Sequence, residues 1–222
     1  MRIGIDLGGT NLRVGLVNDK GQVQEKREVA TPANETPDHV VKAIVKLVKG
    51  MGKASRIGIG APGLVNHSQG LIYSSPNLPK WKMVPLGEMV AEATGIATKV
   101  ANDVNALTWG EFVFGAGKGC KDFLCITLGT GLGGGLILGG KLYTGKDHSA
   151  GEIGHMPLVR DGHPCPCGKH GCVEQYVAKN AIIRRAKQVN PALQRVTPET
   201  VAKAASAGET WAIDVYDDVA AD

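Results

Sequence analysis

The 222-residue sequence has no block of lysines and arginines, no G-x-x-x-x-G-K-[ST] signature and no apolar leader at its N-terminus. With a net charge of only +4, the missing basic block argues against a nucleic-acid surface. The missing signature excludes a P-loop. The missing leader and an odd total of five cysteines argue against a disulfide-stapled secreted protein and place the chain in the cytoplasm with its thiols reduced. A membrane span is not expected either. One apolar run, Phe123 to Gly140, approaches the necessary length, but its glycines and the central Thr130-Gly131 step divide it into a buried strand, a tight turn and a second strand. A hydrophobic content of 43% supplies a core for one large domain or two modest ones.

The densest chemistry lies in Gly151 to Glu174, GEIGHMPLVRDGHPCPCGKHGCVE. It holds two carboxylates, Glu152 and Glu174, a histidine three residues after the first, His155, and the cysteines Cys165, Cys167 and Cys172. Soft thiolates beside an imidazole are what zinc selects, and four such ligands close a tetrahedral site. The glycines and prolines between them make a turn-rich loop that can wrap a metal. We expect a structural Zn²⁺ knuckle, with His155 as fourth ligand and His163 or His170 as local alternatives. Such a knuckle would hold Glu152 and Glu174 near one another, a pair suited to sugar hydroxyls.

In chain order, MRIGIDL, LRVGLVN and QVQEKREVA read as a three-stranded meander. Asp6 ends the first strand, and Gly8, Gly9 and Thr10 form a turn whose bare backbone can approach phosphate oxygens, with the Arg13 cation nearby. An ordinary Gly-Gly hairpin tip is the alternative. A helix is expected from about Asp38 to Lys49, then a buried strand RIGIGAPG that puts Gly63 at a strand end, where loops build sites. LIYSSPNLPKW reads as irregular and PLGEMVAEATG as a short helix capped by Gly95. The strand TKVA stops at Asn102-Asp103, and a helix follows with Ala106, Leu107, Trp109 and Phe112 as its apolar positions. Asp103 can be the cap of that helix or an acid placed to take a proton from a substrate hydroxyl.

From Phe123 the opening pattern recurs. IDLGGTNLRVGLV and ITLGTGLGGGLIL share the order strand, Gly-Thr-bearing turn, strand. The echo suggests two related halves, each with a phosphate-gripping hairpin, the second at Gly129, Thr130 and Gly131. The same glycines fit a loose G-x-G-x-x-G, but a strand follows them where a dinucleotide site needs a helix. Further on, VEQYVAKNAIIRRAKQV and TPETVAKAASAG read as helices, and ETWAIDVYDDVAAD as a last helix whose apolar side has no visible partner.

Taken together, Asp6 to Arg13, Gly60-Ala61-Pro62-Gly63, Asn102 to Ala106, the Leu128 to Gly135 glycine loop, Gly151 to His155 and Cys165 to Glu174 resemble the ROK family of sugar kinases and repressors, its bacterial glucokinases above all. The resemblance implies an α/β, actin-like ATPase fold of two ribonuclease-H-like domains around a central cleft. The domains would be residues 1–118 and 119–222, the second incomplete. It implies a cytoplasmic homo-oligomer, dimer or tetramer, that uses MgATP to phosphorylate a hexose, glucose first, at the 6-hydroxyl. By the same resemblance Asp103 is the general base, and Gly63, Asn102, Asp103, Glu152, His155 and Glu174 hold the sugar. Gly8, Gly9, Thr10, Arg13, Gly129, Thr130 and Gly131 hold the phosphates, and Asp6 reaches Mg²⁺. One ring nitrogen of His155 would face zinc and the other the sugar.

Family members run on past the position of Asp222, so an incomplete adenine pocket is expected. A sugar-responsive repressor is the competing class. It would need a helix-turn-helix before the first strand, where Met1 stands here. A sugar- or zinc-binding module without activity is the third reading. Mannose, fructose, N-acetylglucosamine and N-acetylmannosamine remain open beside glucose.

Overall fold

In the computed structural model, which describes residues 1–222, the chain packs as two compact units. The first comprises Met1–Leu124 and Gly135–Ala150, the second Cys125–Gly134 and Gly151–Asp222.

The first unit is built on a five-stranded sheet, and two-residue alternation makes its opening meander. In β1 (Arg2–Leu7) and β2 (Asn11–Val17), Ile3, Ile5, Leu7, Leu12, Val14 and Leu16 turn to one buried face. The polar β3 (Val23–Ala30) closes the edge. Next come α1 (Pro37–Val48), β4 (Ile57–Ala61), β5 (Leu64–Asn66), β6 (Leu71–Ser74), β7 (Lys82–Val84), α2 (Leu86–Thr94), β8 (Thr98–Asn102) and α3 (Asp103–Phe114). The sheet order is β3-β2-β1-β4-β8, with β1, β4 and β8 parallel. Helix α1 places Val40, Val41, Ile44, Leu47 and Val48 in the same core.

Two expectations change in this unit. The stretch read as irregular contributes β6, the middle strand of a small sheet ordered β5-β6-β7. Its prolines fall in the β6–β7 loop, and buried Leu78 and Trp81 anchor that loop. Helix α3 does not bury Leu107 and Trp109, which are exposed, but Asn105 and Thr108. Glycines explain this. A Cβ at Gly60 would lie 3.3 Å from that of Ala106, and one at Gly135 would overlap the Thr108 hydroxyl, so small and polar groups suit the face α3 presents.

Strands β9 (Phe123–Leu128), β10 (Leu132–Leu138) and β11 (Lys141–Tyr143) form a sheet in the order β11-β10-β9. Strand β9 is not buried as expected, because Leu124, Ile126 and Leu128 all face solvent. In the second unit a single 3-10 turn, Ile153–His155, precedes α4 (Glu174–Val177), α5 (Lys179–Val189), α6 (Pro198–Ser206) and α7 (Thr210–Ala221). The helix expected to run unbroken from Val173 is two, because Ala178 is extended at φ −83°, ψ −179°. Helix α7 does have a partner, since Ala212, Val215 and Val219 pack with Ile182, Ala186 and Val201.

Gly63, in the β4–β5 turn, has φ 101°, and a Cβ there would overlap the Ser74 carbonyl oxygen. Gly50, at φ 77°, faces open space. Gly63→Ala should therefore cost about 2 kcal/mol or more and Gly50→Ala about 1 kcal/mol. Denaturant unfolding of the two variants measures the difference, and equal costs would contradict the overlap at Gly63.

Candidate active site and metal centre

Parallel strands deliver their carboxyl ends side by side, which is where open α/β sheets place ligands. In the first unit the register aligns Asp6 with Gly60, Gly60 with Ala101, and Ala61 with Asn102. Asp6, Gly63, Asn102 and Asp103 are thus gathered at one sheet end by pairing alone.

The turn after β1 is fixed from three sides. Gly8 N–H donates to Asn11 O at 3.0 Å, Thr31 Oγ1 donates to Gly8 O at 2.7 Å, and Thr31 N–H donates to Thr10 O at 2.8 Å. A Cβ at Gly9 would come within 2.9 Å of Asn77, so the β6–β7 loop presses on the turn. Thr31 and Asn77 were not singled out in the sequence. Asn77 lay in the stretch read as irregular, and nothing local marks Thr31. Arg13 bonds the Asp6 carboxylate at 3.3 Å and Glu28 at 3.2 Å. Both pairs are solvent-exposed and therefore weak. Glu28 first and Asp6 second raise the guanidinium pKa further.

Asn102, not Asp103, caps α3. Its Oδ1 accepts from Asn105 N–H at 3.1 Å while its Nδ2 donates to Gly63 O at 3.1 Å. The cap leaves Asp103 as the first helical residue, its Oδ1 accepting from Val104 N–H at 3.0 Å. Solvent still reaches this side chain, yet protein crowds it. Desolvation is the main cause that raises its pKa above the usual carboxylate value, with the negative Asp6 adding to it and the Val104 N–H opposing it.

In the second unit the Gly129–Gly131 turn closes with Gly129 N–H on Gly131 O at 2.9 Å. Lys179 N–H, released from helical bonding by the break at Ala178, donates to Gly129 O at 3.0 Å. Glu174 Oε2 accepts from Leu132 N–H at 3.0 Å, and a Cβ at Gly131 would overlap that carboxylate. Glu174 is thereby brought onto the glycine turn.

His155, Cys165, Cys167 and Cys172 have ligand atoms all within 4.8 Å of one another. Two sulfurs on a tetrahedral zinc stand about 3.8 Å apart, and a sulfur and an imidazole nitrogen about 3.6 Å. Cys167 Sγ lies 3.7 Å from Cys172 Sγ, and Cys165 Sγ lies 3.6 Å from His155 Nδ1. The donor set fits a soft divalent metal, and all five cysteines are free. Gln175 Nε2 supports the cluster from 3.7 Å off Cys165 Sγ, a contact the sequence did not reveal. Burial, then Cys165 and Cys167, pushes the Cys172 thiol up to about 12, whereas the Lys169 backbone N–H leads the causes that lower exposed Cys167. Of the alternative histidines, His163 stacks on Tyr176 with ring centroids 5.2 Å apart, and His170 lies outside the cluster. His155 Nε2 is 4.0 Å from Glu152 Oε2, so the ring turns one nitrogen to sulfur and the other to a carboxylate.

A family model described as ROK family matches residues 2–222, and the chain belongs to that family. Its fold is the actin-like ATPase fold of the family. It is 44% identical to a glucokinase of Streptomyces coelicolor over 85% of this chain and 59% of that protein. An N-acetylmannosamine kinase of Escherichia coli is 35% identical over 83% of this chain and 64% of its own length. A ROK family glucokinase from Streptomyces griseus, crystallised with glucose and AMPPNP, superposes with a TM-score of 0.84 at 37% identity, covering 99% of this chain and 75% of that one. The chain thus spans 58–72% of the length of these and other curated glucokinases and N-acetylmannosamine kinases it matches. No helix is long and apolar enough to cross a membrane.

A raised carboxyl pKa contributes stability only while the group is protonated, and that contribution is lost as pH rises through the folded value. Asp103→Asn should therefore raise the melting temperature at pH 7, and the gain should disappear below pH about 4, where unfolded aspartate also protonates. Thermal melts across that range measure it. A variant less stable than wild type at pH 7 would contradict the desolvated carboxylate.

Proposed function

We propose that the chain is the catalytic part of a ROK sugar kinase that transfers the γ-phosphoryl group of MgATP to the 6-hydroxyl of a hexose, with glucose as the first substrate. The observation that carries the reading is Asp103: an acid left uncapped at a strand end, its basicity raised by its surroundings, beside a glycine turn. Phosphoryl transfer asks little of a protein beyond alignment, charge neutralisation and a base for the attacking hydroxyl. Asp103 accepts that proton. Its raised pKa makes it a better base than an ordinary carboxylate.

Asn102 and Gly63 form one sugar-binding pair, and Glu152, His155 and Glu174 supply further acceptors and a donor for hydroxyls. Gly8, Gly9 and Thr10, with Gly129, Thr130 and Gly131, receive phosphate oxygens on backbone N–H groups, and Arg13 adds a cation after leaving Asp6. Asp6 would face the Mg²⁺ that accompanies ATP, where the ion neutralises phosphate charge. His155, Cys165, Cys167 and Cys172 would hold zinc, which would set the tautomer and orientation of His155.

The similarity to glucokinases favours glucose. The similarity to an N-acetylmannosamine kinase keeps that sugar as the second reading. Cytoplasmic location and self-association into a dimer or tetramer accompany the proposal, as does a division into ribonuclease-H-like halves 1–118 and 119–222 marked by the repeated hairpin.

A panel of glucose, mannose, fructose, N-acetylglucosamine and N-acetylmannosamine, read by ADP release, tests the activity. Turnover of glucose above the others is expected, and no turnover of any would overturn the reading. Asp103→Ala should lower kcat by ~10² or more with a smaller effect on sugar affinity. One equivalent of zinc per chain is expected by metal analysis. Cys172→Ser should lose it together with about 3 kcal/mol or more of stability, a fall in Tm of about 6 °C or more.

A further inference from the structure

Two histidines outside the cysteine cluster meet in the first unit. His67 stands on the turn between β5 and β6, and His148 on the loop that follows β11. Their ring centroids are 5.6 Å apart with the planes at 84°, and the Tyr73 ring flanks His148 at 6.3 Å. The turn that carries His67 is firmly held. Buried Asn66 accepts on Oδ1 from Ser68 N–H at 3.2 Å, Ser68 Oγ at 2.7 Å and Gln69 N–H at 3.3 Å, and its Nδ2 donates to the Tyr73 hydroxyl at 3.1 Å.

Two local costs fall on His148. Its φ is 59°, a left-handed backbone that glycine would adopt freely, and it stays there in a loop closed by Ala150 N–H on Thr144 O at 3.1 Å. Its Nδ1 is buried and has no hydrogen-bond partner. Backbone strain of this kind persists where the surroundings over-determine it, and ligand clamps are among those places. An edge-to-face stack accounts for the ring spacing but leaves the buried nitrogen unsatisfied. A metal ion satisfies it. An imidazole bound at about 2.0–2.1 Å has its ring centre about 3.2 Å from the ion, so two of them on a tetrahedral ion have centres about 5.2 Å apart. The observed 5.6 Å needs the angle at the ion to open only slightly.

The protonation state agrees. Burial first, then the charges of His148 and Lys99, holds the His67 imidazole below its ordinary value, so the ring is neutral at pH 7 and offers a lone pair. His67 is exposed, which gives an ion a path of entry. We infer that His67 and His148 together bind a divalent transition-metal ion of the class imidazole prefers, Zn²⁺, Ni²⁺ or Cu²⁺, with water completing the coordination. The ion would join the β5–β6 turn to the 144–150 loop. This site is separate from the cysteine cluster and does not depend on the kinase reading. With two protein ligands against the cluster's four it is the weaker of the two, so its ion exchanges on desalting while the cluster retains one equivalent.

Calorimetric titration of Zn²⁺ into the full chain, desalted and already carrying its first equivalent, tests this without requiring turnover. A second equivalent should bind. In ¹H–¹⁵N spectra of the imidazoles, the His67 and His148 signals and no other histidine's should shift as it does. His67→Gln and His148→Gly should each weaken the second event by about tenfold or more and leave the first equivalent in place. His39→Gln, at an exposed histidine of α1, should leave both events unchanged. Glycine accepts φ 59° without strain, so His148→Gly should fold at least as stably as wild type, and it decides the matter by itself if circular dichroism shows His67→Gln unfolded. The inference is overturned if no ion binds beyond the first equivalent, if either folded variant keeps the wild-type affinity for the second, or if the shifts fall on other histidines.

Discussion

One side-chain amide governs the first unit. Asn102 donates to the Gly63 carbonyl and accepts from the Asn105 N–H, so it joins the β4–β5 turn to the first turn of α3 and satisfies an N–H that the helix leaves open. Without that bond the next acid in the chain would be the natural cap. With it, Asp103 keeps one carboxylate oxygen free of backbone partners and stands at the end of three parallel strands. Gly60 completes the arrangement, because any larger residue would press on Ala106 and the Asp103 backbone and lift the start of α3 off β4.

The second unit solves a similar problem with a carboxylate. Glu174 closes the glycine turn through Leu132 N–H, and it begins α4 immediately after Cys172. The same four-residue helix carries Gln175, which reaches Cys165 Sγ. Ordering of the cysteine loop and ordering of the glycine turn are thus linked through one short helix, so a metal bound by the cysteines would also stiffen the turn proposed to hold phosphate. The break at Ala178 belongs to the same design, since it frees Lys179 N–H for Gly129 O.

Much of this was legible because it rests on short-range patterns. Alternation marked β1 and β2, Gly-Gly-Thr marked the turn between them, and three thiols with a nearby histidine marked the metal cluster. What the sequence hid depended on partners far along the chain. Asn105 and Thr108 are buried in α3 in place of Leu107 and Trp109 because glycines in β4 and β10 leave room only for close backbone approach. The apolar stripe of α7 finds Ile182, Ala186 and Val201, which no local signal announces. Asp103 is the cap the sequence suggests, and only the hydrogen bonds assign that place to Asn102.

The chemistry proposed for the chain reduces to the basicity of one carboxylate. Desolvation and the neighbouring Asp6 raise the pKa of Asp103, and hexose phosphorylation should follow its ionisation, rising as pH increases through that value. The kcat/KM for hexose, measured with saturating MgATP against pH, is the most direct test. The account predicts an acidic limb governed by a single group above the ordinary carboxylate range of about 4, absent from the residual activity of Asp103→Asn. An identical limb in the variant, or a rate independent of pH in that range, would contradict it.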